Sequence, residues 1–213
     1  MPDLALETQF RAQGHLLIAG VDEAGRGPLA GPVAAAAVIL PPDLTGDESW
    51  LSVIDDSKRL TETRRVAAAK VVHANALAWS VELVASCEID RIGIGNAAIR
   101  AMMDAVSVLN PYPHALLLDW VPIKQCPLPH QTVVKGDAKS LSIAAASILA
   151  KVARDETMKQ VDGRYPGYGF AQHKGYATAQ HLRCLSELGP TPIHRRSFRP
   201  LRQARLLRDA DVA

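Results

Sequence analysis

The sequence has few aromatic residues, few cysteines and no long apolar run, and each shortage excludes a class of protein. Aromatic residues make up 5% of the 213 residues, so a core has to be built from Val, Ile, Leu and Ala. The cysteines, Cys87, Cys126 and Cys184, are widely spaced and odd in number, which favours a reducing compartment over a disulfide framework or a zinc site. The longest apolar run, residues 28–42, is interrupted by Gly and Pro and is too short to span a bilayer.

The net charge is also small, because 24 Lys and Arg nearly balance 22 Asp and Glu. The first residues lack the basic and then apolar pattern of a signal peptide, so we expect a cytoplasmic protein with no membrane segment. We also expect a monomer. Residues 194–208 are strongly basic and contain no acid. Such a segment can bind phosphates, although a solvated terminal helix is the commoner explanation. Most of the seven histidines are expected at the surface or in loops.

What is present suffices for a full core, because 48% of the residues are hydrophobic. Apolar runs at 16–21 and 33–40 flank a glycine-rich segment, 25–31, and predict a hairpin. Further strands are predicted at 76–84, 115–118 and 131–134, and helices from Thr61, at 88–109, at about 138–161 and at about 177–188. The predicted buried stripe of the helix from Thr61 comprises Leu60, Ala67, Val71 and Ala74. Three strands followed by alternating strands and helices predict one α/β domain with a mixed sheet, with its core at about 16–200 and a basic tail at 199–213.

Three of the predicted strands end in acidic residues. Asp22 and Glu23 follow the first strand, Asp119 follows the fourth and Asp137 comes just after the fifth. Ligands of α/β sheets gather beyond the carboxyl ends of strands, where several carboxylates repel one another unless a cation lies among them. Mg²⁺ and Mn²⁺ prefer such oxygen ligands, so the pattern is typical of a two-metal phosphoryl-transfer site.

Each acid alone has a simpler explanation. Asp137 precedes a helix that it can cap, and Asp119 can be an ordinary turn residue. Asp22 and Glu23 are adjacent, so on a regular strand they point to opposite faces and share a site only if the strand ends there. The convergence of three separate strands favours the metal site over these alternatives.

Six segments together resemble the bacterial family of type 2 ribonucleases H, ribonuclease HII. They follow the family's order, and they are residues 22–32, 56–58, 118–119, 135–140, 165–176 and 192–198. The resemblance implies the ribonuclease H-like α/β fold, with a mixed five-stranded sheet flanked by helices and a C-terminal helical segment. It also implies an endoribonuclease that uses Mn²⁺ or Mg²⁺. Such an enzyme cuts the RNA strand of RNA–DNA hybrids and incises at single ribonucleotides in duplex DNA, as in ribonucleotide excision repair, leaving 3′-hydroxyl and 5′-phosphate ends.

The resemblance assigns catalytic roles to the four acids. The metal-binding acids of the family fall on Asp22, Glu23 and Asp119. Asp137 falls on the fourth acid of the active site. Trp120 departs from the family pattern, because it follows Asp119 where Gly is usual, and this questions how open that edge of the site is. Gly93 is a second departure, at a position where Asn is typical.

The resemblance also assigns substrate contacts. Gly25, Arg26 and Gly27 fall on the turn that contacts the 2′-hydroxyl, the group that distinguishes RNA from DNA. Tyr176 falls on a tyrosine that packs against the sugar after the ribonucleotide, although it can also be a core aromatic. Arg26 binds a phosphate or forms a structural salt bridge. Two further predicted phosphate contacts, or else solvated lysines, are Lys58 and Lys174.

Two other functions remain open. One is a nuclease of the same fold for another nucleic acid, such as a DNA junction. The other is a protein that binds hybrids without cutting them. The glycine–arginine–glycine turn and Tyr176 weigh against the first, and the presence of all four acids weighs against the second.

Overall fold

A computed structural model describes residues 1–120, 123 and 126–202, and a five-stranded sheet lies at its centre. The strands are β1 (Ile18–Ala24), β2 (Val33–Ile39), β3 (Ala78–Val84), β4 (Ala115–Asp119) and β5 (His130–Val133). Their order is β3-β2-β1-β4-β5, in which β2 is antiparallel to both β3 and β1, and β4 is parallel to both β1 and β5. This mixed sheet and the predicted hairpin of β1 and β2 are confirmed.

The described helices pack around this sheet. They are α1 (Ala5–Ala12), α2 (Glu62–Asn75), α3 (Ser86–Ile92), α4 (Ile94–Ser107), α5 (Leu141–Arg164), α6 (Phe170–His173) and α7 (Ala179–Leu188). No helix of the described residues is long and apolar enough to cross a membrane. The sequence did not predict α1 or α6. Residues 88–109 form two helices instead of one, because Gly93 has a left-handed φ of 81° and separates α3 from α4. Most of the predicted basic tail, residues 203–213, lies outside the described residues.

The predicted apolar stripe of α2 is wrong in its phase. The residues that α2 buries are Ala68, Ala69 and Val72. Ala67 and Ala74 are exposed. The predicted stripe takes Leu60 as its origin, but the helix begins only after the N-cap Thr61, whose side chain accepts a hydrogen bond from the Arg64 N–H. Leu60 therefore does not follow the helical period.

Two helical layers cover the two faces of the sheet. The helices α2 and α5 share an apolar cluster with β2, and α4 shares another with β1, β2 and β4 on the opposite face. The first ten residues of α5, 141–150, are all buried. This long helix is therefore the central element of its layer, and it crosses the sheet over β1 and β2.

The N-terminal end of α5 lies directly on the backbone of β1. A Cβ atom built at Gly20 would lie 2.1 Å from the carbonyl carbon of Ser142, so only glycine permits this approach. Ser140 caps the helix by accepting the Ile143 N–H at 3.2 Å. The buried Glu7 of α1 accepts hydrogen bonds from the Ser140 hydroxyl at 2.7 Å and from the Ser142 N–H at 2.9 Å. These contacts fix α5 against the sheet.

We expect Gly20→Ala to destabilise the protein, because the added methyl group would push α5 away from β1. Overpacking of a tight core typically costs about 1–3 kcal/mol, and contact with backbone atoms leaves little room for relief. The control is Gly163→Ala near the end of α5, where a Cβ meets nothing within 4 Å. That change should stabilise the helix by up to about 1 kcal/mol. The measurement is the free energy of unfolding in urea. Equal stability of Gly20→Ala and the parent would contradict the close approach.

Candidate active site

Three of the predicted acids meet at one edge of the sheet. One carboxylate oxygen from each of Asp22, Asp119 and Asp137 lies within 4.8 Å of the other two. Asp22 lies near the end of β1, and Asp119 is the last residue of its parallel neighbour β4. Asp137 lies in a 3₁₀ turn, Gly136–Ala138, between β5 and α5. The parallel pairing of β1 with β4 therefore brings acids from distant parts of the chain together.

Backbone and side-chain contacts hold two of these acids in place. The Gly136 N–H donates a hydrogen bond to Asp119 Oδ1 at 2.7 Å. The Lys58 ammonium contacts Asp137 Oδ2 at 2.8 Å. The alternative explanation of Asp137 as a helix cap is wrong, because Ser140 caps α5. Asp137 is thus a buried acid whose side chain faces the other carboxylates.

Glu23 is not among the three acids whose oxygens meet, but its charge lies close enough to Asp22 and Asp119 to repel both, so we count it with them as the acidic group. The strand does not end at Asp22 but continues to Ala24, and Glu23 pairs with Ala35 of β2 in unbroken register. Asp22 and Glu23 therefore leave opposite faces of the strand. Glu23 Oε1 accepts a hydrogen bond from Arg26 Nη1 at 3.2 Å. Its other oxygen, Oε2, is buried and has no hydrogen-bond partner within the described part of the chain.

Burial and mutual repulsion disfavour the charged forms of these acids. Burial, followed by repulsion from Glu23 and Asp119, raises the pKa of Asp22 well above its ordinary value. Burial also raises the pKa of Glu23, against the opposing effect of Arg26, and the pKa of Asp119. A cation among these groups would favour their charged forms and would also satisfy Glu23 Oε2. The donor set consists of oxygen atoms, so the residues present fit a divalent ion such as Mg²⁺ or Mn²⁺.

The buried Arg195 side chain fixes a turn beside the acids, residues 25–32. Its guanidinium group donates hydrogen bonds to four backbone carbonyls, those of Gly25 (2.6 Å), Arg26 (2.9 Å), Gly31 (3.0 Å) and Pro32 (3.0 Å). Burial lowers the pKa of Arg195 to about 9, which leaves the group charged at neutral pH. The sequence placed Arg195 in a basic segment able to meet phosphates, but its side chain is occupied inside the protein.

A second buried arginine, Arg154 of α5, joins this turn to the segment that carries Tyr176. Arg154 donates to the carbonyls of Ala30 at 3.2 Å and of Lys174 at 3.0 Å. A Cβ atom at Gly25 would lie 1.9 Å from Arg154 Nε, so glycine is required there for steric reasons as well as for its φ of 92°. The burial of Arg154 was not predicted from the sequence. The available signal was its spacing of four residues from Ala150 and Met158, which are both buried on the same stripe of α5.

Tyr176 is half-exposed beside the same turn. Its Cε1 atom would lie 3.9 Å from a Cβ atom built at Gly27, and the Arg154 guanidinium lies 5.9 Å from the ring centroid. Because 45% of the residue is exposed, the alternative of a core aromatic is wrong. The structure therefore places a solvent-facing aromatic ring next to the glycine–arginine–glycine turn.

Buried histidines support the backbone of Tyr176. The Thr191 N–H donates to His194 Nδ1 at 2.9 Å, so His194 Nε2 carries the proton and donates to His181 Nε2 at 3.0 Å. His181 Nδ1 then donates to the Tyr176 carbonyl at 2.8 Å. This relay requires both rings to be neutral, and burial lowers the pKa of His194 to about 4. These histidines and His173 are buried, whereas the other four of the seven are not, so the expectation that most histidines lie at the surface or in loops holds.

The remaining predicted substrate residues, Arg26, Lys58 and Lys174, differ in their exposure and in their partners. Arg26 forms the salt bridge that the sequence left as an alternative, and its guanidinium carbon lies 4.9 Å from the centroid of the Trp120 ring. Lys58 is largely exposed apart from its contact with Asp137. Lys174 is buried and bonded to the Ala171 carbonyl, so it is not a solvated lysine. A phosphate contact by Lys174 would require its ammonium group to leave this position.

Comparison with known proteins identifies the family. The sequence pattern of the ribonuclease HII family matches residues 19–200, and the chain belongs to that family. Ribonuclease HII of Geobacillus kaustophilus is 51% identical over 197 residues, which cover 92% of this chain and 74% of that protein. The chain is therefore a metal-dependent endoribonuclease that acts on RNA–DNA hybrids, and the resemblance drawn from its motifs is confirmed.

Solved structures show the same fold. The ribonuclease H2 of Pyrococcus horikoshii OT3 has a TM-score of 0.74 at 25% identity, covering 88% of this chain and 96% of that one. A ribonuclease HIII, Bst-RNase HIII in complex with Mn²⁺, has a TM-score of 0.69 at 19% identity, covering 91% of this chain and 70% of that one. At that identity the second likeness concerns the fold alone.

We expect Asp119→Asn to raise the melting temperature of the metal-free protein. The change removes a charge from the crowded cluster but keeps an oxygen that can accept the Gly136 N–H. In the parent, Mn²⁺ or Mg²⁺ should raise the melting temperature, because a ligand at a hundred times its dissociation constant stabilises a protein by about 2.7 kcal/mol. The measurement is thermal unfolding with chelator and with each ion. The double variant Asp22→Ala, Asp119→Ala is the control, and an undiminished shift in it would contradict the assignment.

Proposed function

We propose that the chain hydrolyses the RNA strand of RNA–DNA hybrids and also incises at single ribonucleotides embedded in duplex DNA, leaving 3′-hydroxyl and 5′-phosphate ends. The observation that carries this proposal is the position of Tyr176 and the turn at 25–27 beside the acids. Asp22 and Glu23 precede the turn by a few residues, and the Glu23 carboxylate accepts a hydrogen bond from Arg26 of the turn. Residues suited to recognising a ribose therefore lie next to carboxylates suited to metal-assisted phosphoryl transfer.

In this proposal Asp22, Glu23 and Asp119 bind the metal, and Asp137 is the fourth acid. Mn²⁺ or Mg²⁺ would supply Lewis-acid stabilisation of the negative charge that develops on the scissile phosphate. Asp119 is oriented by the Gly136 N–H, and Asp137 by Lys58. Lys58 is exposed enough to contact a substrate phosphate as well, since an ammonium group has three donors.

The turn at 25–27 is suited to recognising a 2′-hydroxyl. This hydroxyl is both donor and acceptor, and a protein has to touch it to distinguish RNA from DNA. Glycine at 27 allows the backbone to approach a ribose closely, and Gly25 supplies the φ of 92° that the turn requires. Arg195 donates to the carbonyls of Gly25 and Arg26, which polarises these peptide groups and strengthens the N–H donors of the following residues. The turn therefore offers preorganised donors.

Three further proposals concern the whole chain. The family match over residues 19–200 supports one domain with its core at about 16–200. The widely spaced cysteines, all of them free, support a cytoplasmic location. The proposal of a monomer rests on the sequence alone and is open to a test by analytical ultracentrifugation.

The proposed substrates can be tested with three oligonucleotides: an RNA–DNA hybrid, a duplex with one ribonucleotide, and an all-DNA junction. We expect cleavage of the first two with a divalent ion and no cleavage of the third, because the junction lacks a 2′-hydroxyl. Asp119→Asn should abolish cleavage while hybrid binding survives, since it removes a proposed metal ligand and no phosphate contact. Mass spectrometry of the products identifies their ends. Cleavage of the junction alone, or binding without cleavage by the parent, would refute the proposal.

We expect Tyr176→Ala to impair cleavage at a single ribonucleotide about tenfold more than cleavage of a continuous hybrid. A flat ring packs well on a deoxyribose, whereas a 2′-hydroxyl at that position would crowd it. Stacking on an aromatic contributes roughly 1–3 kcal/mol, and a sugar contact near the lower end corresponds to about one decade. Tyr176→Phe should change little.

The measurement is kcat/KM for both substrates at fixed salt and metal. Tyr112→Ala is the matched control, because Tyr112 is also half-exposed but precedes β4, at the opposite end of the sheet from Asp119. Equal losses on both substrates in Tyr176→Ala would show that this tyrosine is a structural residue.

A further inference from the structure

Trp120 has an unusual position directly after Asp119. Its φ is 52°, in the left-handed region that disfavours residues with a Cβ atom. The ring is not placed there to fill the core, because 57% of the residue is exposed. Its N–H donates to the Val133 carbonyl at 3.1 Å, which holds the backbone in this conformation. Strained residues of this kind persist where the surroundings impose them, and they cluster at functional sites.

The Trp120 ring contacts a charged group of the substrate turn. The Arg26 guanidinium carbon lies 4.9 Å from the ring centroid, while Arg26 Nη1 contacts Glu23 Oε1 at 3.2 Å. The guanidinium group therefore lies between a carboxylate of the acidic group and an aromatic ring. Among the described residues the Arg26 side chain donates one hydrogen bond, from Nη1 to Glu23, so further guanidinium donors remain for a phosphate.

We propose that Trp120 is a positioning residue that holds Arg26 in its phosphate-binding conformation before the substrate arrives. This inference rests on the proposed function and on the phosphate contact that the family resemblance offers for Arg26, which the salt bridge to Glu23 leaves open because it engages Nη1. A free arginine side chain loses much conformational entropy when it is fixed, and an aromatic contact made in advance removes part of that loss from the binding step. Trp120 also keeps Arg26 in place when a cation competes for Glu23, since the ring contact does not depend on the charge of Glu23.

The decisive variant is Trp120→Gly, because it should change stability and binding in opposite directions. Glycine adopts a φ of 52° without strain, so the melting temperature should rise. Loss of one exposed cation–π contact should raise the dissociation constant of a labelled RNA–DNA hybrid, measured in chelator, by about two- to fivefold. With metal, KM should rise by a similar factor while kcat stays within about twofold. Trp120→Phe should restore most of the affinity but not the stability.

The control is Trp79→Ala, because Trp79 is a similarly exposed tryptophan on the distant edge strand β3, where it stacks on His73. This variant should leave hybrid affinity unchanged. Arg26→Ala, alone and combined with Trp120→Gly, tests whether Trp120 acts through Arg26. If it does, the double variant binds no more weakly than Arg26→Ala.

Three results would overturn the inference. Unchanged affinity of Trp120→Gly would show that the ring does not position Arg26. A fall in its melting temperature would show that the ring is a structural residue. Additive losses in the double variant would show that Trp120 contacts the nucleic acid itself. Failure of the proposed function is a separate result, because the parent would then neither bind nor cut the hybrid.

Discussion

The absence of a side chain at Gly20 lets the backbone of α5 lie on β1, and the geometry of the acidic group depends on that contact. The turn with Asp137 immediately precedes α5, and Asp22 lies two residues beyond Gly20 on β1. A helix held further from the sheet would carry Asp137 away from Asp22 and Asp119. Glu7, which binds the N-terminal end of α5 from α1, therefore supports the active site from the opposite end of the sequence. Carboxylates that repel one another can stay close because the helix and the strand cannot separate.

The two buried arginines next to the site, Arg154 and Arg195, are not paired with its carboxylates. The carboxylates of Asp22 and Asp119 lie at the edge of the sheet, while Arg154 and Arg195 lie beneath the turn at 25–32. The two arginines hydrogen-bond to backbone carbonyls instead of carboxylates, and each lies close enough to the turn to fix several of its peptide groups. Had they paired with the acids, the negative potential needed for a divalent ion would have been neutralised. Carbonyl oxygens accept most of the hydrogen bonds of these two guanidinium groups, which therefore leave the charge of the acids uncompensated.

The sequence predicted the parts of the site that depend on strand order, and it missed those that depend on tertiary packing. Asp22, Asp119 and Asp137 converge because they follow strands that meet at one edge, and a pattern of apolar runs reveals this. The position of Glu23 depends on whether β1 continues, which is decided by its pairing with Ala35 of β2. The burial of Arg154 depends on carbonyl acceptors more than a hundred residues away, whereas a charged residue on a helix is usually solvated. Both cases need contacts that no local pattern contains.

Backbone strain is concentrated around the same site. Within the described residues, the non-glycine residues with a left-handed φ are Trp120, Lys135 and Lys174. Trp120 follows Asp119, Lys135 begins the turn that holds Asp137, and Lys174 lies two residues before Tyr176. Each such residue costs roughly 1–3 kcal/mol, and the surrounding structure has to impose it. The packing of α5 on the sheet and the hydrogen bonds of Arg154 and Arg195 offset that cost. The rigid centre of the fold thus allows the segments that adjoin the substrate to adopt conformations that a free chain would avoid.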